Sequence, residues 1–229
     1  MIISHKYKFI FLKTRKTAGT SIEIALSQFC GAKDVITPIV GADERKRREL
    51  GFRGPQNYNI PLSFYQKSDW LTLLRERKPK QFFNHAGAVF IRDNIGQDIW
   101  NSYFKFCFER DPFDKAISRY YWNTREPRPE ISNFLEATQI KFLSDWQIYT
   151  IDNQIVADFV GRYENLADDL AIVAEKIGLS GELSLPKAKG GYRKDRKHYS
   201  QVLDERARAR IEQVCSREMA NFKYTWPAS

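Results

Sequence analysis

The stretch Lys13-Thr14-Arg15-Lys16-Thr17-Ala18-Gly19-Thr20-Ser21 follows the apolar run Phe9-Ile10-Phe11-Leu12 and precedes Ile22, Ala25, Leu26 and Phe29. Four apolar residues in succession read as a buried β-strand, and the i, i+3, i+4, i+7 spacing reads as one face of a helix. A strand that turns through small, hydroxylated residues into a helix offers backbone N–H groups and the positive end of a dipole to an anion. Lys13, Arg15 and Lys16 crowd like charge onto that end, a conflict that an anionic ligand relieves. Thr20 to Glu23 also matches a capping box, so the hydroxyls have a structural alternative. The stretch reads as a grip on phosphate or sulfate.

The chain has 229 residues, 42% hydrophobic and 14% aromatic, with 37 Lys+Arg against 28 Asp+Glu and a net charge of +9. That length suits one domain, 1–229, burying roughly 70% of its unfolded surface. The composition excludes a disordered chain. The charge favours an anionic partner, whether nucleic acid, phosphorylated cofactor, acidic glycan or lipid surface. Three dispersed cysteines (Cys30, Cys107, Cys215) exclude a disulfide framework and a CxxC metal site and point to a reducing compartment. Residues 1–8 are followed by only four strongly apolar residues before Lys13, too few for a signal peptide, and no run approaches the ~20 apolar residues of a membrane span. A cytoplasmic protein is expected, with His5 in a mobile terminus.

Further along, 34–40 reads as a strand or extended crossing, 68–77 as a capped amphipathic helix, and 81–87 as a short strand entering a turn. Residues 89–100 read as a helix, and the aromatic run 103–109 as the best strand in the chain. Asp111 and Pro112 are an N-cap and first-turn proline opening a helix through Trp122. Helical periodicity recurs over about 132–150, 164–176 and 204–222, with a strand at 155–161. Strands alternating with helices, without internal repeats, predict an α/β fold with a mostly parallel central sheet flanked by helices. Residues 41–61 lack periodicity and read as a functional loop.

Two further features carry chemistry. Arg110 ends the aromatic strand, where α/β sheets place ligand contacts, and Asp111, Lys115 and Ser118 share one face of the next helix. Arg110 and Ser118 can converge on a single phosphate, the arginine as bidentate donor. His85 stands at the turn of Phe82-Phe83-Asn84-His85-Ala86-Gly87. The Walker A pattern G-x-x-x-x-G-K-[ST] is absent, which weakens an ATP-dependent phosphotransferase without excluding it.

Lys16 to Ser21 resembles the 5′-phosphosulfate loop, and Phe106 to Tyr121 the 3′-phosphate motif, of sulfotransferases that use 3′-phosphoadenosine-5′-phosphosulfate (PAPS). The resemblance is to the carbohydrate branch that includes the heparan and chondroitin enzymes and bacterial relatives. Arg162-Tyr163-Glu164-Asn165-Leu166 and Asn221 to Trp226 are similar to further landmarks of that branch. The resemblance implies a P-loop-NTPase-like sulfotransferase fold and sulfuryl transfer from PAPS to a carbohydrate hydroxyl, leaving 3′,5′-ADP, with no metal.

By that resemblance Lys13, Arg15, Lys16, Thr17, Ala18, Gly19, Thr20 and Ser21 hold the 5′-phosphosulfate, with Lys16 neutralising charge at the reacting end. Arg110 and Ser118 hold the 3′-phosphate, and His85 is the base for the acceptor hydroxyl. The basic segment 187–197 resembles the loop that covers the nucleotide, with Arg193 a second 3′-phosphate contact. Glu109 departs from the apolar residue expected before Arg110. From the 41–61 loop, Arg45, Arg48, Arg53 and Tyr58 are candidate acceptor contacts, their cations hinting at an anionic acceptor. The competing functions are the ATP-dependent phosphotransferase and a non-enzymatic basic module binding nucleic acid. Scattered cations and the lack of a nucleic-acid motif count against the latter.

Overall fold

The computed structural model describes residues 1–179, 181, 183–186 and 197–227. Its centre is a five-stranded sheet of order β3-β1-β2-β4-β7. These strands are β1 (Ile2–Ser4), β2 (Phe9–Phe11), β3 (Val35–Ile36), β4 (Phe104–Glu109) and, after the hairpin of β5 (Thr150–Ile151) and β6 (Gln154–Ile155), β7 (Phe159–Arg162). β2, β4 and β7 pair in parallel, with Phe11 opposite Phe106 and Phe106 opposite Phe159. β1 alone runs against its neighbours.

The helices before β4 are α1 (Gly19–Ser27), α2 (Gly41–Glu49), α3 (Lys67–Glu76), α4 (Ala88–Ile95) and α5 (Gln97–Ser102). Those after it are α6 (Pro112–Asn123), α7 (Ile131–Ala137), α8 (Ile140–Leu143), α9 (Trp146–Tyr149), α10 (Leu166–Lys176), α11 (Glu205–Val214) and α12 (Ser216–Phe222).

Side-chain alternation along the strands sorts the core into two layers. Ile2, Phe9, Phe11, Phe106 and Phe108 meet Ile22 and Leu26 of α1 and Leu170 and Val173 of α10. Ile3, Ile10 and Cys107 meet Ala88, Ile91 and Ile95 of α4 together with Trp100, Trp146 and Ile148. A third cluster joins α6, α7, α8 and α11 through Phe113, Ile117, Leu135, Leu143 and Ile211. Burying each such side chain contributes about 1.5–3 kcal/mol, so the helices are held by packing on the sheet more than by propensity. The three parallel strands end together, and the segments leaving them, at Lys13, Arg110 and Tyr163, build the site.

Several expectations need correcting. Residues 1–8 are not a mobile terminus: β1 is wholly buried between β3 and β2, and His5 Nδ1 lies 2.8 Å from the Tyr103 hydroxyl. The 41–61 segment is not irregular throughout, because 41–49 is α2. Asp43 and Glu44 stand in its first turn and Lys46 to Arg48 in its last, the order that complements the dipole. Its buried anchor is Arg47, fully enclosed and paired with Glu23 and Glu44, so no apolar stripe marks it. Residues 81–87 form no strand beyond a bridge of Gln81 to Asn59. The helical region 89–100 breaks at Gly96, whose φ of 90° ends α4. The regions 132–150 and 204–222 divide likewise, into α7 to α9 and into α11 and α12.

Candidate functional site

The loop between β2 and α1 turns by placing Lys16 (φ 61°) and Ala18 (φ 58°) in the left-handed region. For residues with a Cβ this costs roughly 1–2 kcal/mol each, the kind of strain that collects where backbone amides must face a ligand. No side chain caps α1. Its first N–H groups, from Gly19, Thr20 and Ser21, therefore open away from the helix body. A Cβ at Gly19 would stand 3.0 Å from Lys13 Cγ and 3.2 Å from the Thr14 carbonyl, so any side chain here would press on the loop. The loop is pinned to β4 by the Thr14 hydroxyl, which donates to the Phe108 carbonyl, and is closed on itself by the Thr14 and Thr17 hydroxyls, 2.8 Å apart.

The capping box does not form. Glu23 is buried and takes Lys13 Nζ at 2.5 Å, with the Met1 amino group and Arg47 beside it. Burial works against its charge, but Lys13 and the neighbouring cations outweigh it and hold the carboxyl below its ordinary range. Lys13, 3% exposed, is thereby taken from the anion-facing set and made a brace behind the loop, where Asn84 Oδ1 also accepts from its Nζ. Lys16 lies with its ammonium 4.6 Å from the centre of the Trp122 ring on α6.

Arg110 leaves β4 beside the same loop. Its Nη1 donates to the Lys16 carbonyl at 3.3 Å, its guanidinium lies 4.1 Å from the Tyr163 ring centre, and its buried Nε has no hydrogen-bond partner. Asp111 caps α6 as expected, accepting from Phe113 N at 2.8 Å. Ser118 stands half-buried on that helix. The segment after β7 buttresses Arg110 and Asp111: Tyr163 supplies the ring, Glu164 accepts from Asp111 N, and the Tyr224 hydroxyl donates to Glu164. This gives the two late sequence landmarks a physical role. Arg193 and the rest of 187–196 lie outside the described residues.

His85 also has a left-handed backbone (φ 61°), and its Nδ1 lies 2.8 Å from the Lys13 carbonyl. A carbonyl only accepts, so Nδ1 carries the proton and Nε2 keeps its lone pair. Burial, then the charge of Lys13, lowers the imidazole pKa to about 4, leaving the ring neutral at neutral pH. The ring lines a cavity of about 760 Å³ with Arg15, Lys141, Asp145 and Trp146 among its walls. Gly87 lets the segment approach α9, since a Cβ there would stand 2.9 Å from the Gln147 carbonyl.

Beneath the site runs a buried ionic chain missing from the sequence reading. Lys115 Nζ sits 2.7 Å from Glu109 and 2.6 Å from Asp145. Asp145 accepts from Arg15 Nη1 at 2.6 Å and from Arg15 N at 2.7 Å, while Glu109 accepts from the Tyr149 hydroxyl at 3.0 Å. Burial opposes the charge on Lys115, but Asp145 and Glu109 outweigh it and hold the ammonium above its ordinary range. Asp145 is held low by Lys115 and Arg15 against its burial, and burial pushes Glu109 up. Glu109 therefore points inward, away from the ligand side of Arg110, and the chain locks the loop to α6. Its visible signals were Glu109, which stands where an apolar residue is expected, and Asp145, a charge close to the apolar Leu143 and Trp146.

The structure thus brings Arg15, Lys16, Gly19 to Ser21, Arg110 and His85 to one end of the sheet. It does not bring the acceptor candidates of 41–61 into the His85 cavity. Arg45 and Arg48 are exposed on α2, Arg53 donates to the Cys30 carbonyl at 2.9 Å, and Tyr58 packs on the core. Among the described residues no group of three or more His, Cys, Asp or Glu could hold a metal ion, and no helix is long and apolar enough to cross a membrane. All three cysteines are free and buried.

Comparison with known proteins agrees with this geometry. A protein of Archaeoglobus fulgidus, described as uncharacterized, is 36% identical over 104 residues, spanning 43% of this chain and 87% of that protein. No solved structure matches the chain. The profile of the sulfotransferase family matches residues 1–225, from β1 through α12 and Tyr224. With the anion loop, the strand-end arginine and the sheet that joins them all inside that match, the chain belongs to the sulfotransferase family.

Proposed function

We propose that this sulfotransferase moves a sulfuryl group from PAPS to a hydroxyl of a carbohydrate, with His85 as general base. The observation that carries the reading is the hydrogen bond from His85 Nδ1 to the Lys13 carbonyl, which ties a neutral imidazole to the root of the anion loop. The residues present fit a nucleotide with a 3′-phosphate, because Arg110 keeps a buried, unpartnered Nε beside the loop and lies on the Tyr163 face. When bound, PAPS supplies a sulfuryl group already activated on a phosphate.

The rest is work for the chain's own groups. Backbone N–H groups at the start of α1, with the Thr20 and Ser21 hydroxyls, bind the 5′-phosphosulfate. The Thr17 hydroxyl, buried against Thr14, holds the loop's shape. Lys16 neutralises charge as it develops near the loop, and Arg110 with Ser118 fixes the 3′-phosphate. Such positioning and charge stabilisation dominate in-line group transfer. His85 Nε2 accepts the acceptor's proton, a role typically worth about 10²–10⁴ in rate.

Transfer of label from PAPS to a panel of sugars tests the reading. His85→Ala should lose at least about 100-fold in turnover while still binding 3′,5′-ADP. Near-full turnover in His85→Ala would remove the base from the mechanism, and wild-type protein that transfers no label would refute the function.

A further inference from the structure

We infer that α3 docks the protein on an anionic lipid bilayer, with its outer face lying in the headgroup layer. The helix is held by local means. Asp69 accepts from Gln66 N at 2.8 Å at its start, and Arg77, at φ 53°, ends it. No residue of α3 is buried. Asp69 and Leu73, one turn apart and half-buried, face the body, and Asp69 is tied there to Lys80 at 2.8 Å. Leu71 and Leu74 point the other way, as 3.6 residues per turn requires, and are 55% and 77% exposed. The Trp70 ring lies 5.4 Å from the Tyr65 ring at one edge of this face, yet 42% of Trp70 stays exposed. By contrast, α6 and α11 bury their apolar faces against one another and α7.

Charge selects what covers this face. Lys67 stands on the same side of the helix as Leu71 and Leu74, Arg75 stands one turn from Leu71, and both cations are exposed. The acids of the helix, Asp69 and Glu76, lie across it and are already held by Lys80 and Lys78. Among the described residues no ion pair involves Lys67, Arg75 or Arg77. Leucines flanked by Lys and Arg, with an indole at the edge, match the boundary between acyl chains and anionic headgroups. There the leucines enter the chains and the cations meet lipid phosphates. The net charge of +9 adds long-range attraction to the same surface.

A second copy of the chain fits the face worse. Two-fold pairing through α3 would bring the Lys67 and Arg75 charges of both copies together. A helix of 10 residues is also small for the purpose. At about 15 Å long and about 10 Å wide it presents on the order of 150 Å², against the roughly 800 Å² per partner that a stable dimer buries.

Co-sedimentation with vesicles of phosphatidylcholine, alone or with about one-third phosphatidylglycerol, provides the test. Wild-type protein should partition at least about tenfold more strongly onto the anionic vesicles, and less so as salt is raised. Leu71→Gln/Leu74→Gln and Lys67→Gln/Arg75→Gln should each lose at least about tenfold of that partitioning. Both should keep the wild-type Tm, because all four side chains are exposed. Absence of wild-type partitioning, equal partitioning onto both vesicles, or full retention in either variant would overturn the proposal. A fall in Tm in both variants would also overturn it, by making the face part of the packed body. So would a wild-type dimer at sedimentation equilibrium without lipid that becomes a monomer in Leu71→Gln/Leu74→Gln, which would give the face to a second copy. No readout involves nucleotide or His85, so docking and sulfotransfer fail separately.

Discussion

Lys115→Met removes the cation between two buried carboxylates and leaves its stem volume nearly unchanged. Lys115 is 4% exposed, Glu109 and Asp145 1% each, and the ammonium lies 2.7 and 2.6 Å from them. Breaking a buried pair from one side costs about 3–5 kcal/mol, because an uncompensated charge stays behind. For a chain of this length each kcal/mol is worth about 2–4 °C, so Tm should fall by about 6–20 °C at pH 7. Arg15 still reaches Asp145, so the greater part of the loss falls on Glu109. Urea unfolding at pH 7 and pH 5 provides the check. In the variant the stranded carboxylates bind protons more readily folded than unfolded, so stability rises as pH falls and the deficit against wild type narrows at pH 5. Glu109→Gln added to Lys115→Met should recover part of the loss, a coupling of about 0.5–3 kcal/mol. A loss below about 1 kcal/mol, or a deficit that does not change with pH, would refute the ionic chain as the lock between loop and helix.

Other outcomes follow from the same geometry. With His85 as the proposed base, its pKa of about 4 places the acid limb of kcat/KM for the proposed donor PAPS there, since a base works only while neutral and is lost as pH falls through that value; a limb centred at 6 or above would contradict the proposed role of the buried, Lys13-opposed imidazole. Gly87→Ala drives a Cβ to 2.9 Å from the Gln147 carbonyl and should cost about 1–3 kcal/mol, read as a lower Tm together with reduced turnover; an unchanged Tm would show that α9 can move aside. Lys16→Ala should abolish transfer yet leave Tm nearly unchanged, because its ring contact with Trp122 is the kind worth only about 0.5–1 kcal/mol; a large drop in Tm would make it a structural residue.

Much of the fold was legible because its signals are local. The run at Phe9 to Leu12, the aromatic strand ending at Glu109 and the Asp111–Pro112 helix start each carry their meaning in a few neighbouring residues, and all three formed as expected. What escaped was stabilised by charges at long sequence separation. α2 is anchored by a buried arginine whose partner Glu23 belongs to another helix, and Glu23 in turn reads as half of a capping box until Lys13 is seen beside it. Lys115 sits at helical spacing from Asp111 and Ser118, which suggests a shared exposed face, yet it turns inward to Asp145, 30 residues later in the numbering. The site motifs were legible as residue types, whereas the tautomer of His85 and the stacking of Arg110 on Tyr163 exist only once three strand ends meet.

The proposed site takes a nucleotide phosphorylated at both 3′ and 5′. Titration of wild-type protein and Arg110→Ala with 3′,5′-ADP, 5′-ADP and ATP·Mg²⁺ tests it most directly. Charge-assisted hydrogen bonds contribute about 1.5–3 kcal/mol, so wild type should favour 3′,5′-ADP over 5′-ADP by about 10–100-fold without metal, and Arg110→Ala should erase that preference. Tighter binding of ATP·Mg²⁺, or a 3′-phosphate preference that survives in Arg110→Ala, would contradict the account.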